Sequence, residues 1–247
     1  MDNSIYVSLS RQITLQRELD ITANNLANVD TTGFKFEELM TSADPAGPAA
    51  SAGVSGPVIF VASDGVARDF TQGPLTQTGA PLDLAISGQG FFEISTSSGP
   101  RYTRDGRFKL DPTGRIVTQD GDPVQGDGGT IVIDPTKGAV SISATGIVSQ
   151  AGQTVAKLAL VSFADLSALS KDGSGLYSNV SNLTPTPAAG ALVRQGMLEG
   201  SNVEPVVQIT RLIEISRAYE AVTNLINATS ALSKTAIQQL GQPSAGG

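Results

Sequence analysis

Apolar positions fall into three regimes along the chain. Over residues 4–29 they recur with 4-3-4-3 spacing: Ile5, Leu9, Leu19, Ala23 and Leu26, with Gln12 and Gln16 in the same row. That spacing predicts one amphipathic helix, roughly 39 Å long, with a coiled-coil-like seam. Ser4 or Asn3 suits its cap, and Gly33 is placed to stop the chain just after it in a left-handed conformation. In the middle the period drops to two or to short apolar runs, at residues 83–88, 90–96, 101–124, 130–134, 139–150 and 154–164. Asp-Gly at 105–106, Thr-Gly at 113–114 and 145–146, and Asp-Gly-Gly at 127–129 punctuate them, which predicts antiparallel strands and tight turns. From Asn202 the helical period returns. Leu212, Ile215, Tyr219, Val222, Ile226, Thr229, Ser233, Ala236 and Leu240 repeat at 3-4 spacing. Asn202 is the expected cap, Glu204 adds negative charge in the first turn, Pro205 suits the start, and Gly241 with Pro243 ends the helix.

The expected fold is therefore α+β, with long N- and C-terminal helices flanking a central antiparallel β domain. The expected segments are an N-terminal helix in 1–35, a linker or extension in 36–75, the β domain in 76–200 and a C-terminal helix in 201–247. Residues 41–57, "TSADPAGPAASAGVSGP", read as linker or exposed loop. Both helical seams carry Ala, Thr, Ser and Gln beside Leu and Ile, where a helix hairpin inside one globule would carry a greasier face.

Composition narrows the chemistry. The chain has 247 residues, no Cys and no His, so it needs no disulfide and lacks the commonest general base and transition-metal ligand. A net charge of −7 with no large basic face argues against phosphate-backbone binding. The first twenty residues lack a basic stretch followed by an apolar core, so no cleaved signal peptide is expected, and no apolar run approaches a membrane span.

No motif supplies a reaction. Gly88-x-Gly90 has Glu93 where a dinucleotide fingerprint needs its third Gly, and it leads into a strand. The loop from Asp120 has Val124, Gln125 and Ile131 where a calcium loop needs an oxygen ligand, Gly and Glu. Ser170 and Lys171 are adjacent, the wrong spacing for a Ser-Lys nucleophile. Arg101, Arg104, Arg107, Lys109 and Arg115 cluster within one hairpin-like run. They form either its solvated face or a charged docking surface for another subunit.

"NNLANVDTTGFK", residues 24–35, puts Asn24, Asn25 and Asn28 where a stable helix would use better formers. The amides either mark a fraying helix end or specify register and partner number in a buried seam.

That stretch resembles the N-terminal signature of bacterial flagellar rod and hook proteins. "QGPLTQTGAPLDLAISGQGFFEI" with "RYTRDGRFKLDPTGRIVTQDGDPVQG" resembles the family's central β segment, and "GMLEGSNVEPVVQITRLIEISRAYEAVTNLI" its C-terminal helix. The tail reads "SRAYE", with Ser216 where distal-rod proteins have Gln, which points to the proximal-rod type. The resemblance implies a structural, non-enzymatic subunit without cofactor, exported by the flagellar type III apparatus without a cleaved signal. It implies helical assembly with other proximal and distal rod subunits and copies of itself, in the rod that crosses the periplasm and carries torque from motor to hook. It also implies terminal helices that form an inner coiled-coil-like tube domain, disordered in the free subunit, with the β domain outside. Asn24, Asn25, Leu26, Asn28 and Gly33, the seam from Leu212 to Ile226, and Arg101, Arg104 and Arg107 are then the expected interface residues. A distal-rod or hook protein, or a carbohydrate-binding or enzymatic β domain with helical stalks, is the alternative.

Overall fold

The computed structural model describes residues 3–45 and 59–240. The chain divides into two compact units: Met1–Leu26, Glu37–Ala67 and Glu204–Gly247 in the first, Ala27–Phe36 and Arg68–Val203 in the second.

The first unit holds helix α1, Asn3–Ala27, and helix α2, Pro205–Leu240. It also holds a two-stranded sheet of Glu37–Pro45 and Ile59–Arg68. The helices run antiparallel: Gln12 Nε2 donates to Thr223 Oγ1 at 3.2 Å, and later in α1 but earlier in α2 Arg211 Nη2 donates to Glu18 Oε1 at 3.4 Å. Arg211 also reaches Glu38 Oε1 at 2.8 Å, tying the helix to the strand.

The α+β class stands, but the expected coiled-coil-like tube domain of long flanking helices does not. Among the described residues there are two α-helices, of 25 and 36 residues, bridged by Gln12 to Thr223 and Arg211 to Glu18, and the row expected as the seam of α1 is not the face it buries. On α1, Leu9, Gln16 and Ala23 of the expected seam are exposed, while Gln12, Leu19 and Leu26 are half-buried. The face that α1 buries carries Thr14, Leu15, Thr22 and Asn25, about a third of a turn away. Three of these are polar and hide by bonding the backbone. Thr14 Oγ1 donates to Ser10 O at 3.0 Å and Thr22 Oγ1 to Glu18 O at 2.7 Å, so each hydroxyl is satisfied within its own helix. Hydropathy periodicity counts such residues as surface and so turns the helix the wrong way. On α2 the expected row is the inward one: Ile215 is buried, and Leu212, Tyr219, Val222 and Ile226 are half-buried.

Several boundaries also differ from expectation. Residues 41–45, read as linker, belong to a strand. The rest of that stretch, the helix stop at Gly241 and Pro243, and the side chains of Ile5, Ser233, Ala236 and Leu240 lie outside the described residues. Asn202 is not the cap of α2, which begins at Pro205. Glu204 lies just before the helix, its carbonyl accepting from Gln208 N at 3.1 Å. No helix among the described residues is long and apolar enough to cross a membrane.

The second unit is strand-rich. Its largest sheet has six strands, in the order Leu169–Lys171, Leu176–Asn179, Gly99–Thr103, Phe91–Thr96, Leu160–Ser162 and Thr186–Pro187, all neighbours antiparallel. Strand 91–96 shows why the period-two reading works. Phe92 and Ile94 face one core, with Leu84, Ile86, Ile116 and Leu158, while Phe91 faces another, with Tyr102, Phe163 and Tyr177. Thr-Gly turns at 113–114 and 145–146 close the pairs Lys109–Leu110/Ile116–Val117 and Val140–Ile142/Ile147–Gln150, as the turn dipeptides predict.

Candidate functional site

The amide-rich stretch divides its labour. Asn25 is buried, and its side chain acts as a third strand edge. Nδ2 donates to Glu37 O at 2.7 Å and Oδ1 accepts from Glu37 N at 3.0 Å. The amide satisfies both backbone groups of one residue, as a β-bridge would. Asn28 Oδ1 accepts from Thr31 Oγ1 at 3.1 Å and its carbonyl from Thr31 N at 3.1 Å, shaping the turn out of α1. Asn24 is exposed and Leu26 half-buried. The buried amide thus fixes the course of its own chain. Asn25→Ala should cost about 1–3 kcal/mol, because it removes the two hydrogen bonds that the amide makes with the buried Glu37 backbone. A urea-midpoint shift equivalent to less than about 0.5 kcal/mol would contradict the clasp.

Gly33 has φ +70°, and its N–H donates to Glu199 O at 2.8 Å. Two residues on, Lys35 enters a buried ionic cluster with Glu199 and Arg104. Lys35 Nζ reaches Glu199 Oε1 at 2.6 Å and Thr71 O at 2.6 Å. Arg104 Nη1 reaches Glu199 Oε2 at 3.0 Å, and Gly73 N donates to Glu199 Oε1 at 3.0 Å. Burial pulls the Lys35 ammonium below the ordinary lysine value, against the opposing pull of Glu199. Asn202 ties the same segments. Its Oδ1 accepts from Phe36 N at 2.7 Å, and its Nδ2 donates to Asp69 O at 2.9 Å and Thr71 O at 3.2 Å. Neither Glu199 nor Lys35 stands out in the sequence, and Asn202 does so only as a helix cap. Lys35 and Glu199 are 164 positions apart, and only the order of the strands brings them together.

The arginine run does not act as one surface. Arg104 is 3% exposed and belongs to the ionic cluster rather than to an exposed basic face. Arg101 pairs with Asp172, Arg107 with Asp105 at 2.8 Å, and Arg115 with Asp111 at 2.7 Å. Lys109 Nζ donates to Gln119 O at 2.7 Å. These basic groups are held by acids or carbonyls of their own chain.

The helices carry exposed apolar side chains, most of them outside the expected seam. On α1, Tyr6 and Ile13 are exposed at 3-4 spacing with the seam residue Leu9, on the face opposite the buried one. On α2, Val206, Ile209 and Ile213 form one exposed row, and Val207, Leu225 and Leu232 another. At about 100° per residue these rows flank the inward face on both sides, roughly 110–130° away from it. Val206 is 75% and Leu232 71% exposed. The signal was present in the sequence as apolar residues off the heptad row.

Comparison with known proteins places this arrangement. Residues 5–35 match the flagella basal body rod protein family, residues 85–150 the D1 domain of the flagellar hook proteins FlgE/F/G, and residues 194–239 the C-terminal region of the flagellar basal body rod FlgEFG proteins. The chain is 54% identical to the flagellar basal-body rod protein FlgF of Caulobacter vibrioides, over 98% of this chain and 99% of that protein. It is 35% identical to FlgF of Mesorhizobium japonicum, over 99% and 100%, and 36% identical to FlgG of Bacillus subtilis, over 93% and 96%. The chain belongs to the FlgF family of flagellar basal-body rod proteins, structural components of the flagellar rod.

Proposed function

We propose that the chain is a proximal-rod subunit that holds its place in the periplasmic axis, and passes torque along it, by packing the outward faces of both helices against neighbouring rod subunits. One observation carries this: the exposed apolar rows of α1 and α2, which this chain leaves uncovered among its described residues. Scattered surface apolars are ordinary, but three rows at helical spacing on two adjacent helices are the pattern of an interaction face. In this reading the contact residues are Tyr6, Leu9 and Ile13 with Val206, Ile209, Ile213, Leu225 and Leu232. Leu212, Ile215, Tyr219, Val222 and Ile226 support them from within. Other rod proteins and further copies of the chain are the partners, and the flagellar type III apparatus delivers it. No cofactor, nucleic acid or enzymatic step enters.

The double change Leu225→Glu with Leu232→Glu tests the reading. Both sites are exposed, so stability should hold within about 0.5 kcal/mol and circular dichroism should not change. Swimming should be lost, and isolated basal bodies should lack a complete rod. A doubly substituted strain that swims normally contradicts the proposal.

A further inference from the structure

In the strand-rich unit a cleft of about 390 Å³ opens between residues 69–72, 88–91 and 162–166. Phe70, Phe91, Phe163 and Leu166 give it an apolar wall, and Gln89 stands exposed at its rim. The wall is rigid: Phe70 packs edge-on against Phe91 at 5.4 Å and against Tyr177 at 5.3 Å. Arg104 also lines the cleft, its guanidinium 5.4 Å from the Phe91 ring centre.

Arg104 is buried, yet its Nε–H meets no acceptor. Its other nitrogens are engaged: Nη1 with Glu199 Oε2 at 3.0 Å and Nη2 with Gly88 O at 2.8 Å. Nε and Nη2 share the guanidinium edge that grips a carboxylate side-on. A buried donor left without an acceptor is costly and calls for a partner. The charge balance gives that partner's sign. Two buried cations, Lys35 and Arg104, face one buried carboxylate, Glu199. Asp69 on the rim is exposed, and both its oxygens are taken by Thr71, each at 2.9 Å.

We infer that this cleft is a second docking site of the chain, one that receives an Asp or Glu side chain of a neighbouring protein, with the apolar residue beside that acid lying against Phe70 and Leu166. Charge complementarity selects the acid, and the aromatic wall selects a peptide over a bare anion. The inference takes from the assembly reading only that neighbours exist; it involves the other unit and none of the helix faces.

The test uses the full-length chain labelled with 15N-arginine. The Arg104 Nε–H resonance is assigned through its contacts with the Phe91 ring protons. The probe is the dipeptide Ac-Leu-Glu-NH2. The resonance should move and saturate, and Ac-Leu-Gln-NH2 should bind about tenfold more weakly, the size expected of one charge-assisted hydrogen bond against a neutral one. Gln89→Trp, which fills the cleft from its exposed rim, should abolish the shift while leaving circular dichroism unchanged. No shift, equal binding of the Glu and Gln dipeptides, or sodium acetate binding as tightly as Ac-Leu-Glu-NH2 would overturn the inference. So would binding that survives Gln89→Trp. Failure of the Leu225/Leu232 experiment would leave these outcomes untouched.

Discussion

Glu199→Gln will destabilise the strand-rich unit by about 3–5 kcal/mol, since it strands buried cations without their counter-ion. Glu199 is fully buried and holds Lys35, Arg104 and the Gly73 N–H on its two oxygens. Its main-chain carbonyl takes the Gly33 N–H as well. A loss of that size is a large part of the roughly 5–15 kcal/mol that keeps a domain folded. The urea midpoint measures it, and a shift equivalent to less than about 1 kcal/mol would show the cluster to be no tighter than a surface pair. Two further readings separate charge from packing. Adding Lys35→Met to Glu199→Gln removes one stranded cation and should recover part of the loss. The pH dependence has a definite sign. Lys35 already sits below the ordinary lysine value, and without Glu199 it falls further. Between that lowered value and the unfolded one the unfolded chain binds more protons, so the variant gains stability as pH rises toward the lysine range.

The cluster also joins segments that are far apart in the chain. The chain passes between its two units after residues 26, 36, 67 and 203. Lys35 and Phe36, Asp69 and Thr71, and Glu199 and Asn202 lie within a few residues of three of these passages, and they are bonded to one another.

What was legible in the sequence follows the range of the interactions. The presence of α1 and α2, the alternation of Phe91, Phe92 and Ile94, and the Thr-Gly turns all come from neighbours within a few positions, and the chain states them locally. The buried face of α1 was misread because Thr14, Thr22 and Asn25 hide their polar groups on backbone atoms, which hydropathy cannot register. Arg101, Arg104 and Arg107 look alike at a spacing of three. One is buried and the others paired at the surface, because the strand ends at Thr103 and the chain turns through Asp105. Glu199 was invisible for a different reason: its partners lie 164, 126 and 95 positions away. Asn202 looked like a helix cap because an Asn shortly before a Pro-started helix usually is one. Here its amide meets the backbone of two distant segments instead.

Gly33→Ala will damage the protein through close approach as well as through handedness, and the two effects can be measured apart. At φ +70° any side chain is strained, by about 1–3 kcal/mol. Gly33 has a second constraint. A Cβ there would lie 2.5 Å from Asp105 N, 2.6 Å from Arg104 C and 2.9 Å from Arg104 O, all backbone atoms that no rotamer can move aside. Relief requires shifting the segment that positions Arg104 in the ionic cluster, so the cost spreads to Glu199 and Lys35. Gly152 is the control, since it has φ +77° and open space where a Cβ would go. Gly152→Ala should therefore show only the strain of handedness, about 1 kcal/mol. Gly33→Ala should exceed it by at least about 1–2 kcal/mol, as overpacking does, and Gly33→Val should be worse still and abolish swimming. Gly33→Asn decides the matter. Asn tolerates the left-handed region, so it would restore stability if handedness alone mattered. With backbone atoms at 2.5–2.9 Å it should fare no better than Ala. Equal losses at Gly33 and Gly152, or rescue by Asn, would show that the contact with Arg104 and Asp105 does not set the requirement for glycine.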